Sequence, residues 1–197
     1  RDIGVTGVQT CALPISSQLA HEEHATRTLR NALARGPFPG IGTGDPDLFK
    51  AFCWRFWSLS VGERSHIGVV LPRAVLATKG SEEFRWAILK ESSHIDATVI
   101  LNNRKWFFED VHPQFTITLL TVSKGDSDAS ALALRGPFSD LDSFEVGVRE
   151  DGASFVCEEA LDWNDSASFP LLASSDSVEV FAQLRKAPRL EIGRAHV

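Results

Sequence analysis

Helix-period and strand-period stretches alternate along the middle of the chain. Residues 17–34 are polar and rich in Arg and Glu, with scattered Leu and Ala, which predicts a weakly periodic helix. RGPFPGIGTG, residues 35–44, breaks it with glycine and proline. Phe49, Phe52, Cys53, Phe56 and Trp57 then recur at i, i+3, i+4, i+7 and i+8, one apolar helix face. Asp45 can cap this helix, Pro46 suits its first position and Asp47 its positive end, while Gly62 marks its exit. HIGVVLP, residues 66–72, is a short apolar run closed by Pro72 and reads as a strand covered on both faces of a parallel sheet. KGSEEFRWAILKES reads as a helix capped by Ser81, with Glu82 and Glu83 in its first turn and Phe84, Ala87 and Ile88 facing inward.

IDATVIL (residues 95–101) and FTITLLTV (residues 115–122) are two further strands, joined by NNRKWFFEDVHPQ. With no helix between them, they are expected to be antiparallel neighbours. Helix, strand, helix, strand, loop and strand in that order make the second half of a three-layer α/β domain. After Lys124-Gly125 the pattern weakens: GDSDAS is a polar turn, short elements alternate with loops, and Val178, Phe181 and Leu184 suggest one further helix. A boundary is placed near residue 135. No internal repeat is found.

Composition changes the picture at the ends. Thr10–Ile15 and Ile192–Val197 can be back-translated into strings that are reverse complements over almost their whole length. Adapters ligated to both ends of a DNA insert have that relation; folding gives no reason for it. Residues 1–16 and 191–197 are therefore read as adapter-derived and set aside. The natural part is then an internal fragment, which agrees with the absence of methionine. Within it, residues 17–135 are read as one half-domain and 136–190 as a linker or the start of a further region.

The apolar content, 43%, is that of a globular chain. No apolar run approaches the ~20 residues that cross a membrane. A net charge of −6 argues against a nucleic-acid clamp by charge alone, although Arg104-Lys105 and Arg185-Lys186 with Arg189 are local basic clusters. Cys53 and Cys157 lie far apart without a CxxC or paired histidines, so neither a zinc site nor a disulfide framework is expected, and Cys53 reads as a small core residue. GIGTG imitates a dinucleotide loop but follows no strand, and reads as a turn. His66, His94 and His112 are scattered, and Glu158, Glu159, Asp162 and Asp165 lack the lysine a metal-nuclease site would want.

The chemistry concentrates in the loop. Trp106, Phe107 and Phe108 stand in a row between charges, just before a strand. Any one of them can fill space beneath the loop. One can instead offer its ring to a planar ligand, as a base removed from a duplex requires.

Three motifs in order carry a resemblance: Asp47-Leu48-Phe49 with Phe52, Gly68-Val69-Val70-Leu71-Pro72, and Arg104 to Val111. Over residues 45–125 the chain resembles the later half of Eco57I-like adenine-specific DNA methyltransferases of restriction–modification systems. The resemblance implies a partial class I S-adenosylmethionine-dependent methyltransferase (Rossmann-like) fold, its later strands and helices ending in an antiparallel hairpin. It implies that Phe108 stacks on the flipped adenine and that Asp47, Leu48 and Phe49 border the cofactor and base pockets. Phe49 stands where tyrosine is common in the family, keeping the ring and losing the hydroxyl. Arg104, Lys105 and His112 are candidate DNA contacts. The implied cofactor is S-adenosylmethionine, the partner double-stranded DNA, and the location cytoplasmic. The glycine-rich cofactor loop, the acidic ribose partner and the Asn/Asp-Pro-Pro-aromatic motif are absent and expected upstream of Ser17. The parent would then be the enzyme, and this piece inactive alone. Two other readings stay open: a class I methyltransferase acting on RNA, protein or a small molecule, and a non-catalytic DNA-recognition subunit.

Overall fold

The computed structural model describes residues 9–44, 46–62, 65–125, 130–172 and 175–187, with the backbone alone at 9–14 and 175. The three expected strands are β1 (His66–Pro72), β2 (Ser92–Leu101) and β3 (Thr116–Lys124), and two more, β4 (Ala131–Phe138) and β5 (Ala153–Val156), extend the sheet. Their order is β1-β3-β2-β4-β5. β3 runs antiparallel to both β1 and β2, β4 is parallel to β2, and β5 is antiparallel to β4.

The connections explain this order. The loop from β2 to β3 has no helix, so the chain returns beside the strand it left, as expected. From β1 to β2 the chain passes through α3 (Ala74–Ala77), a 3-10 turn at Lys79–Ser81 and α4 (Glu82–Glu91), a crossover that keeps β1 and β2 parallel. β3 fills the one-strand gap between them. The result is a mixed α/β structure with a five-stranded sheet, consistent with part of a Rossmann-like fold.

One face of the sheet carries the core. Ile67 and Leu71 of β1, Ile95 and Val99 of β2, Leu120 and Val122 of β3, and Leu132 and Leu134 of β4 are buried together against Cys53, Trp57, Phe84 and Ile88. The opposite face is mixed, with Ile100 and Ile117 buried beside Asp96 and Thr98, and it is open at its β1 side, where His66, Gly68 and Val70 are exposed. This corrects the reading of HIGVVLP. β1 is an edge strand with an antiparallel neighbour, buried on alternate residues rather than on both faces. A continuous apolar run cannot distinguish the two cases, because Gly68 and Val70 are tolerated on an uncovered face.

The helix after the glycine-rich turn is α2 (Leu48–Leu59). Asp47 occupies its N-cap position without a side-chain cap bond, and Asp45 lies outside the described residues. Its buried side is Lys50, Ala51, Cys53 and Trp57; Phe52 and Phe56 are 55% and 37% exposed and stack on each other at 6.1 Å. The apolar face therefore splits. Cys53 and Trp57 enter the core, while Phe52 and Phe56 join Leu48 and Leu59 in an exposed stripe. In α4, Phe84 and Ile88 are buried as expected and Ala87 is half-buried. Ser81 sits at the N-cap but its hydroxyl makes no hydrogen bond, because the preceding turn gives it φ −115° and ψ 9° instead of an extended backbone.

The long polar helix is α1 (Gln9–Arg35), which passes through Ser16-Ser17, and GIGTG is a turn in which Ile41 is buried. β4 passes through residue 135 and pairs with β2 on both sides of it. Beyond it come α5 (Leu141–Gly147), α6 (Cys157–Leu161) and α7 (Ser175–Lys186), the last carrying Val178, Phe181 and Leu184.

Candidate functional site

β1, β2 and β4 point the same way, so Pro72, Leu101 and Phe138 end at one edge of the sheet. Open α/β sheets place ligands outside the carboxyl ends of their parallel strands. The aromatic loop, residues 102–115, emerges at this edge.

Asn102 organises the loop. It is fully buried, and its amide spends both ends on backbone. Its Oδ1 accepts from Phe107 N and Phe108 N, both at 3.1 Å, and its Nδ2 donates to Phe108 O at 2.9 Å and Val111 O at 3.2 Å. One side chain thus satisfies four main-chain groups that a loop would otherwise leave unpaired. Both the amide and the carbonyl of Phe108 are held by it. No motif pointed to Asn102; a polar residue following a strand is ordinary turn chemistry.

The three aromatics separate by environment. Trp106 Nε1 donates to Leu101 O at 2.7 Å, and its ring meets Phe107 at 5.4 Å and Phe144 of α5 at 6.0 Å. Phe107 meets Phe144 at 5.8 Å, and Phe144 in turn meets Phe138 at 5.8 Å. Trp106 and Phe107 are half-buried within this cluster. Phe108 touches it edge-on through Phe107 at 4.8 Å and is 38% exposed. The ring free to meet a ligand is therefore that of Phe108.

α5 is held in place to receive the cluster. Asp140 caps it, accepting from Ser143 N at 2.8 Å. That hydrogen bond, with help from the Ser139 and Ser143 hydroxyls and the Arg104 charge, holds the Asp140 carboxyl below its ordinary value.

Arg104 and Lys105 are exposed on the turn that starts the loop, closed by Lys105 N donating to Asn102 O at 2.9 Å. Lys105 has φ +56°, a backbone conformation uncommon outside glycine. His112 is exposed, with Gln114 N donating to its Nδ1 at 3.3 Å and its ring edge-on to Phe115 at 6.3 Å.

Asp47 and Phe49 lie across the same edge. They line an open cleft of about 500 Å³ together with Arg73, Gln114, Phe115 and Thr116. Leu48, 53% exposed, and Phe108 lie outside this cleft. Two lining residues, Arg73 and Phe115, carry no sequence signal as site residues: one follows a strand-ending proline and the other reads as the first residue of a strand.

The remaining candidates stay apart. His66 Nδ1 is 2.9 Å from Ser123 Oγ at the other end of β1, and His94 is exposed. Glu158, Glu159, Asp162 and Asp165 are exposed, and among the described residues no group of His, Cys, Asp and Glu is gathered as a metal site. Arg185 lies on α7, and Arg189 is outside the described residues. Among the described residues no helix is long and apolar enough to cross a membrane.

No known protein family matches the chain, and no curated protein matches it. Among solved structures it is similar to the ATP-dependent Type ISP restriction-modification enzyme LlaBIII bound to DNA, at 16% identity and a TM-score of 0.35. The match covers 60% of this chain and 9% of that one. So distant a likeness carries nothing about activity.

Proposed function

We propose that this chain is the later half of the methyltransferase domain of a DNA adenine N6-methyltransferase from a restriction–modification system. The observation that carries the reading is the loop of Arg104 to Val111. Its motif matches the family's base-receiving loop, and it lies at the carboxyl edge of the parallel strands with Phe108 outermost and pinned at both its backbone groups. In this reading Phe108 stacks on an adenine extruded from double-stranded DNA, and Arg104, Lys105 and His112 lie where a phosphate backbone would pass. Asp47 and Phe49 line a separate cleft at the same sheet edge, with Gln114 and Phe115 of the loop.

The described residues do not build a site for S-adenosylmethionine. GIGTG follows α1 rather than a strand, so it makes no strand–glycine loop–helix unit. In this reading the cofactor is held by an upstream half of the domain.

The test is base capture in the full-length enzyme, followed by the fluorescence of 2-aminopurine at the target position alongside methyl transfer. Phe108→Ala is expected to weaken both far more than Phe107→Ala, whose ring is packed against Phe144. Equal losses in the two variants would overturn the assignment of Phe108. Full activity of an enzyme lacking residues 102–115 would overturn the whole reading.

A further inference from the structure

Phe144 is the one large side chain that α5 turns inward. Leu141 and Val146 of the same helix are 54% and 58% exposed, and no residue of α5 is fully buried. A helix of seven residues is not stable by itself, so its packing decides its place. It lies against β4, where Gly147 comes so close to the Phe138 ring that a Cβ would collide with it. Its remaining apolar contact goes to the aromatic loop: the Phe144 ring meets Trp106 at 6.0 Å and Phe107 at 5.8 Å. The loop answers with charge, since Arg104 acts on Asp140, the residue that caps α5.

The backbone and the ring of Phe108 are held by different groups. Asn102 fixes the main chain of Phe107 and Phe108. Hydrogen bonds to main-chain atoms do not choose among side-chain rotamers. The Phe108 ring meets Phe107 edge-on, at 4.8 Å and 88°. Phe107 stands in turn between Trp106 and Phe144, at 78° and 72°. Edge-to-face pairs have a preferred geometry, so orientation passes from ring to ring. Phe138 backs the series, 5.8 Å and 80° from Phe144.

We infer that Phe144 is a positioning residue for the base-receiving ring: it sets the orientation of Phe108 through Phe107, and so ties the chain beyond residue 136 to capture of the target base. The inference rests on the base-receiving reading of the loop and adds what controls it. Phe144 itself touches no base in this arrangement. Coupling of this kind is reciprocal, so a base seated on Phe108 stabilises α5 in return.

Two measurements test it. In the 197-residue chain, proton NMR follows the Phe108 ring with and without Phe144→Ala. Cross-peaks between the Phe107 and Phe108 rings are expected to weaken, and the Phe108 ring shifts to move toward those of a free side chain. Amide protection at Phe107 and Phe108 should stay, because Asn102 still holds both. Unmoved ring resonances overturn the inference. Lost amide protection also overturns it, since Phe144 would then hold the loop backbone instead of aiming a ring. In the full-length enzyme, Phe144→Ala should reduce capture of a 2-aminopurine target base about fivefold, the size of one aromatic contact and well short of the loss in Phe108→Ala. Phe144→Leu refills the volume without the ring edge and should recover part of the loss. Leu141→Ala, on the exposed side of α5, should leave capture unchanged. In a Phe108→Ala background, Phe144→Ala should add less than about twofold, because its effect runs through the ring already removed. Undiminished capture in Phe144→Ala, or a full further loss in the double variant, overturns the inference. If Phe144→Ala alone leaves capture intact, this inference falls by itself; if Phe108→Ala leaves it intact too, the base-receiving reading falls and takes the link to capture with it.

Discussion

Two buried polar side chains, Asn102 and Arg85, decide local structure that no apolar pattern announces. Asn102→Ala removes four hydrogen bonds and leaves Phe107 N, Phe108 N, Phe108 O and Val111 O without their partner. The expected cost is about 2 kcal/mol or more, because orphaned buried groups keep their full desolvation penalty. Hydrogen exchange is the measurement: amide protection at Phe107 and Phe108 should collapse in Asn102→Ala and persist in Asn102→Asp, whose Oδ1 still accepts from both. Protection unchanged in the alanine variant would show that the aromatic cluster alone orders the loop. Arg85 is fully buried on α4, and its guanidinium donates to the carbonyls of Val75, Thr78, Ser166 and Ala167. Burial lowers its pKa to about 10, with Glu82 opposing the shift, so it stays charged at neutral pH. Arg85→Met is expected to cost about 3 kcal/mol or more in urea unfolding, since four acceptors lose a charged donor. Arg85→Lys should recover less than half of that, because one ammonium cannot span carbonyls on two separate segments. In the sequence this arginine reads only as a polar residue within an amphipathic helix.

Elements were legible where burial and periodicity coincide. β1, β2, β3 and α4 stand out because each carries its apolar residues as a run, in partial alternation or at helical spacing. β4 is hidden in the sequence because ALALRGPF holds a glycine and a proline, which argue against a strand, and an arginine that interrupts its apolar run. The structure accommodates the arginine and the glycine: Arg135 pairs with Asp96 on the sheet face opposite the core. Gly136 takes φ +80° at an irregularity in the β2–β4 pairing, where a Cβ would collide with Val99 O. β5, at four residues, is too short to show a period. α2 was legible as a helix but its burial was not, since five apolar residues on one arc cannot all face a core that receives only Cys53 and Trp57 fully. For the site, the sequence pointed to the loop and to Phe108, while the support beneath it, Asn102, Phe144 and capped α5, was hidden because each acts through a contact distant in sequence or through main-chain atoms. The cap makes a pH prediction. In the folded chain the Asp140 carboxyl is held below the ordinary aspartate range, so its contribution is complete above that range and is lost as pH falls through the lowered value. Ser143 amide protection should therefore hold at pH 5 and decay only below about pH 4. Asp140→Ala should abolish the dependence and loosen the packing of Phe144 on Phe107, seen as shifted ring resonances. Asp140→Asn should keep the cap and lose the pH response.

At the scale of the whole molecule the question is whether one core holds the sheet together across residue 135. The main buried cluster runs without a break from Cys53 and Trp57 through Ile95 and Leu120 to Leu134, Phe155 and Cys157. β4 pairs with β2 from His94–Ala131 to Ile100–Phe138. A boundary that behaves as an independent hinge would have to break this pairing. Two buried thiols sit at opposite ends of the cluster and make the matter measurable. Cys53 lies on α2, where burial pushes its thiol up to about 12; Cys157 opens α6 beyond β5, and burial raises its thiol too. Neither is a reactive thiolate at neutral pH in the folded chain, so each waits for an opening that admits reagent. In a Cys11→Ser background, labelling with a thiol reagent should then proceed at one rate for both residues if the sheet opens as a unit. If the strands after residue 135 form a separate unit, Cys157 should label faster and its rate should respond less to urea. The shared core favours one rate, because removing β4 and β5 would expose Leu132 and Leu134 together with the partners they cover in β2. The edge of β1 is free in the same sheet, and a chain that opens there first would show neither thiol labelled ahead of global unfolding, since Cys53 is sealed by Trp57 and the core face. Equal rates that track the global unfolding free energy would thus place α2 and the five strands, from Cys53 to Cys157, in one cooperative body that carries the loop on its edge.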